Sequence, residues 1–174
     1  GGPGVVGWAG SMFHAQDFIG LGEHLTKVTH PRVVWHTIGA DYLSPHVPVS
    51  RSTGWTTNDH LLAALDFDIG LAPLNASESN QSKSWAKLLE YGARGIPAVA
   101  TRAGQYPDWW AEAGGGACIL IGGEADRTWA EAITLLCDDD IRARMGVAAR
   151  AQAERYEISR QVHRWAETYR RTPE

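Results

Sequence analysis

The stretch Ser82–Thr101, SKSWAKLLEYGARGIPAVAT, decides the fold, because it reads as an amphipathic helix running straight into a buried strand. Trp85, Leu88, Leu89, Gly92 and Ala93 recur at helical spacing and make one apolar face. Asn80, Ser82 and Ser84 are candidate N-caps, since their side chains can accept from otherwise unpaired first-turn amides. Gly95 supplies the stop, and Pro97–Ala100 is a short apolar run of the kind that fills a parallel strand covered on both sides.

Working outward, the same alternation repeats. Val5–Trp8 reads as a first strand ending at Gly10-Ser11, and Phe13 to about Val28 as its helix, with Phe18, Leu21 and Leu25 inward. Arg32–Thr37 is a second strand and Val47–Ser50 a third. A loop through Ser52, Thr53, Gly54 and Trp55 leads to a short helix at Asn58–Leu65. Asp68–Leu74 is a buried strand broken by Pro73, and Ala117–Ile121 is the last one. Helices are expected at Thr128–Cys137 and Asp140–Glu154, then at about 159–171 with Val162 and Trp165 inward. Strands alternating with helices imply a parallel sheet with helices on both faces and a ligand at the carboxyl ends of the strands. The 174 residues, 44% of them apolar, suit a single domain.

The polar side of the central helix carries Lys83, Lys87, Glu90 and Arg94 at steps of four, three and four. Cations at a helix start oppose the helix dipole by up to about 1 kcal/mol each, which makes sense with an anion such as a phosphate in front of them. Lys27 is the chain's one other lysine, so two of three mark this helix. Glu90 lies about 10 Å further along the axis, a distance that matches diphosphate to ribose. A solvated stripe with a Lys87–Glu90 pair accounts for the same spacing.

The segment DIGLAPLNASESNQSKSWAKLLEYGARGIPAVATRAGQYP resembles the donor-binding half of a GT-B glycosyltransferase, close to glycosyltransferase family 4, and the likeness runs from about Val5 to Tyr156. It implies a Rossmann-like α/β domain, one half of a GT-B fold, that binds a nucleotide diphosphate sugar. In that family two glutamates eight positions apart hold the sugar and the ribose. Here Glu90 matches the ribose glutamate, and Ser82 stands where the sugar glutamate is expected. The resemblance places Gly10, Ser11 and His14 in the loop at the phosphates, with Ser11 and His14–Gln16 in place of the usual basic pair. It also places Ser82, Lys83, Ser84, Gln105 and Tyr106 beside the donor, and Trp55, Pro73 and Leu74 near its base. Trp55 stacked on a base and Trp55 packed under the short helix are both compatible with its position. The implied partners are a nucleotide-sugar donor, an unknown acceptor and a missing N-terminal acceptor domain, with no metal and no cofactor. A non-catalytic module binding a sugar, a nucleotide or a protein remains the alternative, favoured by Ser82.

Net charge −4 and pI near 6.0 exclude the basic excess of a nucleic-acid reader. Cys118 and Cys137 have no metal-ligand spacing and read as buried, reduced thiols of a cytoplasmic protein. No apolar run is long enough for a membrane span, and no leader is evident. Gly7 and Gly10 do not make a GxGxxG motif. Asp66 and Asp68 imitate a DxD metal motif but precede their strand, at the end facing away from the expected site. Asp138–Asp140 reads as a helix cap. Trp109 and Trp110 are open between a sugar platform and core. No histidine arrangement identifies a catalytic base, and the start at Gly1-Gly2-Pro3 suggests a fragment or a processed product.

Overall fold

The first strand, β1 (Gly4–Gly10), sends Val5 and Ala9 into one apolar cluster and Val6 and Trp8 into another, as the twofold period of a strand requires. The same alternation holds in β4 (Ile69–Ala72), where Ile69 and Leu71 face one cluster and Ala72 the other. Both faces of the sheet are therefore apolar, and both must be covered. The computed structural model describes residues 4–55 and 58–171.

With β2 (Val33–Gly39), β3 (Val49–Thr53), β5 (Ala98–Thr101) and β6 (Cys118–Ile121), the strands form one six-stranded sheet in the order β3-β2-β1-β4-β5-β6. All pairings are parallel. Eight α-helices are assigned among the described residues: α1 (Leu21–Leu25), α2 (Asn58–Ala64), α3 (Glu78–Gln81), α4 (Ala86–Ala93), α5 (Tyr106–Glu112), α6 (Trp129–Leu136), α7 (Asp139–Glu154) and α8 (Ile158–Arg171). Leu61 of α2, Leu88 and Tyr91 of α4, Trp109 of α5 and Ala149 of α7 close one face. Leu21 and Leu25 of α1 with Ile133 and Leu136 of α6 close the other. The α/β fold with helices on both faces is the one expected.

Close approach of α4 and α7 depends on bare backbone. A Cβ on Gly146 would stand 2.4 Å from Gly95 O, and one on Gly92 would stand 2.7 Å from Ala149 O. The aspartate run caps α7 as expected: Asp138 Oδ1 accepts from the amides of Asp140 and Ile141 at 3.0 and 2.9 Å. Thr128 and Glu131 form a reciprocal capping box at the start of α6.

Several boundaries differ from expectation. The helix read over Phe13 to Val28 is a 3-10 segment, Met12–Phe18, followed by the five-residue α1. Gly20 at φ 80° breaks the run. The third strand is Val49–Thr53 rather than Val47–Ser50, so Ser52 and Thr53 belong to the sheet rather than to a loop. The central helix begins at Ala86, with Trp85 as N-cap, and none of Asn80, Ser82 or Ser84 caps it. Val162 and Trp165, expected inward, are 55% and 59% exposed, since the apolar stripe of α8 is left largely uncovered. The Gly1-Gly2-Pro3 start lies outside the described residues. Cys118 and Cys137 are buried free thiols, and burial pushes the Cys118 thiol up to about 12.

At the amino end of the sheet Asp68 Oδ2 accepts from Val5 N at 2.8 Å, and Asp66 pairs with Arg51. Asp66 Oδ1 also stands 2.7 Å from Nδ1 of His36, without hydrogen-bond geometry, while Nε2 meets Thr53 Oγ1 at 2.9 Å. These partners tie Asp66 and Asp68 to the start of β4. Burial of His36 outweighs the attraction of Asp66 and lowers its pKa in the folded chain. The unfolded chain then binds the extra proton first, so stability is full above the ordinary histidine value near 6.5 and falls as pH drops below it. Denaturant unfolding across about pH 8 to 5 should show that loss, and His36→Asn should flatten it. An equal slope in the variant would assign the loss to other groups.

Candidate functional site

Strand order reverses between β1 and β4, and in open α/β sheets the crevice beyond the carboxyl ends of the strands at such a reversal takes the ligand. Here β1 ends at Gly10 and β4 at Ala72, and a crevice of about 280 Å³ opens between the segments that follow. Gly10, Ser11 and His14 form one side and Pro73 and Leu74 another, with Trp55 at the rim. Lys83, Ser84, Lys87 and Glu90 come from the approach to α4 and its first turns, and Tyr106 from the start of α5. Of the residues expected near a donor, Ser82 and Gln105 do not line this crevice. Ser82 ends α3 and Gln105 precedes α5, both exposed.

Within the crevice the expected stripe separates into three. Lys87 is largely buried: its Nζ donates to Ala9 O and lies 5.8 Å from the ring centroids of both Trp8 and Tyr91. Burial depresses its pKa, against the attraction of Glu90 4.0 Å away. Lys83 sits before the helix and faces Asp17 Oδ2 at 3.5 Å. Arg94 is the exposed C-cap at the far end. Lys87 thus departs from a solvated stripe, while its pairing with Glu90 is the one that reading expects. No side chain caps the first turn of α4, and its amides begin at the crevice wall beside Ser84 and Ala86.

Sequence reasoning passed over Asp17. Its side chain is 3% exposed, and it gathers Asn75 N at 3.0 Å, Asn80 Nδ2 at 2.5 Å and His14 Nδ1 at 2.9 Å. Burial would raise this carboxyl, but the bonds from Asn75, His14 and Asn80 together with the Lys83 charge outweigh it and hold it below the usual range. Only His14 is a local partner of Asp17; Asn75 and Asn80 lie 58 and 63 residues away in sequence, so no local pattern marks it as buried. Asn80, read as a cap, is instead one of its buried donors.

Tyr106 is buried in the crevice wall, and desolvation pushes its phenol upward. Leu74 N donates to Thr101 Oγ1 at 3.0 Å, fixing the turn after β4. Trp55 is 56% exposed, so it stands at the rim rather than under the short helix. Trp109 is core, stacked on Tyr156 at 6.0 Å, and Trp110 leans on Gly115 away from the crevice. The sugar-platform alternative for this pair is dropped. Among the described residues no group of three or more His, Cys, Asp or Glu could hold a metal, and no helix is long and apolar enough to cross a membrane.

Sheet order and crevice together define a Rossmann-like α/β domain with the architecture of one half of a GT-B glycosyltransferase. The chain is similar to Anabaena Alr3699/HepE in complex with UDP and glucose, with TM-score 0.72, 19% identity, and 98% of this chain covering 49% of that one. It is similar to a mutant of S. aureus TarM in complex with fondaparinux, alpha-GlcNAc-glycerol and UDP, with TM-score 0.68, 19% identity, and coverage of 95% and 35%. A third is WaaG, a glycosyltransferase involved in lipopolysaccharide biosynthesis, with TM-score 0.62, 20% identity, and coverage of 94% and 46%. The chain thus spans half or less of the length of each. No protein-family model matches the sequence, and no curated protein matches it.

Proposed function

We propose that this chain is the donor half of a glycosyltransferase and that its crevice binds a nucleotide diphosphate sugar for transfer of the sugar to an acceptor. The observation that carries the reading is the pairing of Lys83 and Lys87 with the first turn of α4 in a crevice at the β1–β4 reversal. Two cations and uncapped amides suit a diphosphate leaving group, and the protein's work is positioning and charge stabilisation. Glu90, about one turn in from the helix start, takes the ribose, and Trp55, Pro73 and Leu74 take the base. The solved neighbours that hold UDP support uridine as the first base to test. Acceptor groups and any catalytic base belong to a second half, so this chain alone transfers no sugar.

A second reading, a binding module without transfer, is favoured by one feature. Glu90 is the only carboxylate among the described lining residues, and Ser82, at the position of the family's sugar glutamate, is exposed outside the crevice.

Thermal unfolding with UDP, UDP-glucose and other nucleotide sugars tests the proposal. A donor at a hundred times its dissociation constant is expected to stabilise the chain by about 2.7 kcal/mol. The shift should persist with a chelator, since no metal is needed for donor binding. Absence of any shift across the panel at millimolar concentration would remove the nucleotide-sugar reading. Loss of the shift on chelation would overturn metal-independent binding and show that a metal joins the donor to the crevice.

A further inference from the structure

Asp17 divides its two oxygens between separate tasks. Oδ1 accepts from Asn75 N and Asn80 Nδ2, which tie the loop after β4 and the short α3 to the 3-10 segment. Oδ2 meets His14 Nδ1 at 2.9 Å and Lys83 Nζ at 3.5 Å, and both of those residues line the crevice. The first oxygen is explained by folding. The second is not, since it draws two of the crevice's basic groups, His14 and Lys83, onto one buried anion.

We propose that Asp17 is the positioning residue of this anion site: its Oδ2 orients the His14 ring and the Lys83 ammonium for a bound diphosphate that Asp17 itself does not touch. The proposal rests on the reading of the crevice given above. An ionised carboxylate only accepts hydrogen bonds, so it holds a proton on His14 Nδ1, and Nε2 can donate to a diphosphate once the ring carries its second proton. Lys83 is 37% exposed on a four-carbon stem, and a tether near its ammonium reduces the rotamer freedom lost when a ligand binds.

The sign of one substitution separates this role from simple electrostatics. Asp17→Asn removes a negative charge beside an anion site, so Coulomb's law alone predicts tighter anion binding. In that variant the amide oxygen is needed by Asn75 and Asn80, which turns the amide NH2 toward Lys83, donor against donors, and toward His14 Nδ1, where it donates to the bare nitrogen and keeps the ring from taking its second proton. Positioning therefore predicts weaker binding. Asn80→Ala is the companion variant, because it removes a donor to Oδ1 and leaves Oδ2 unchanged.

The experiment is calorimetric titration of wild type and both variants with inorganic pyrophosphate and with UDP, joined to nitrogen chemical shifts of the His14 ring. The wild type should carry a proton on His14 Nδ1, and Asp17→Asn, whose NH2 donates to that nitrogen, should leave Nδ1 bare. Pyrophosphate affinity should fall about tenfold in Asp17→Asn, the scale of one charge-assisted hydrogen bond, and stay within about twofold in Asn80→Ala despite a lower Tm. Equal or tighter pyrophosphate binding in Asp17→Asn overturns the proposal, as does an equal loss in both variants or a wild-type His14 with no proton on Nδ1. A wild type that binds neither probe overturns the reading of the crevice, and the proposal's claim on a diphosphate falls with it. Binding of both probes by wild type with no loss in Asp17→Asn leaves the reading standing and removes only Asp17.

Discussion

Lys87→Met is expected to weaken binding of both UDP and inorganic pyrophosphate by roughly ten- to a hundredfold. A charge-assisted contact contributes about 1.5 to 3 kcal/mol, and each 1.4 kcal/mol is a factor of ten. Lys87 belongs at the upper end of that range because its ammonium is mostly out of water, held between Trp8 and Tyr91. Methionine fills a similar volume, so cavity formation does not confuse the result. Lys83→Ala should cost less, since Lys83 is more exposed and already shared with Asp17. Glu90→Gln should weaken UDP but spare pyrophosphate, which has no ribose. Arg94→Ala, at the exposed end of α4, should change neither. Calorimetric titration of the four variants with the two ligands reads all of this, and equal affinities throughout would leave the crevice without its assigned ligand.

The largest effect on stability is expected from Gly39→Ala. Gly39 ends β2 at φ 88°, in register with Gly10, and a Cβ there would stand 2.2 Å from Gly10 O. That oxygen already accepts from Ala40 N at 2.9 Å, so it is backbone that would have to move. Left-handed strain of about 1 to 2 kcal/mol adds to an overpacking cost of about 1 to 3. At about 2 to 4 °C per kcal/mol for a chain of this size, Tm should fall by roughly 4 to 20 °C. Gly20→Ala, at φ 80° with nothing within 4 Å, isolates the strain, and Gly54→Ala, with neither, should change little. If Gly39→Ala melts no lower than Gly20→Ala, the clash at Gly10 is relieved by a shift the structure does not suggest.

Strand and helix order was legible because each element carries its own period. Leu88, Leu89 and Gly92 gave α4, and Pro97–Ala100 gave β5. The start of α4 was not legible, because Ser82, Ser84 and Trp85 all precede it and tertiary packing selects the last. With Trp85 as the cap, Lys83 lies before the helix and Lys87 in its first turn, and Lys87 is the more buried of the two. Asp17 could not be found from spacing, since an acidic residue beside Phe18 looks solvated until Asn75 and Asn80 arrive. The stripe of α8 was read correctly as amphipathic and wrongly as inward. Periodicity reveals that a helix has an apolar side, not what covers it.

The position of β1 at the centre of the sheet also shapes how the chain is made. It pairs with β2 on one edge and with β4 on the other. Val5 reaches its β4-side partner Asp68 across 63 residues of sequence. At roughly 5 to 20 residues per second, translation leaves that second edge of β1 open for roughly 3 to 13 s after the strand is synthesised. Val5, Val6 and Trp8 line the unpaired strand throughout that interval, which makes it the segment of the nascent chain most in need of shielding from other chains.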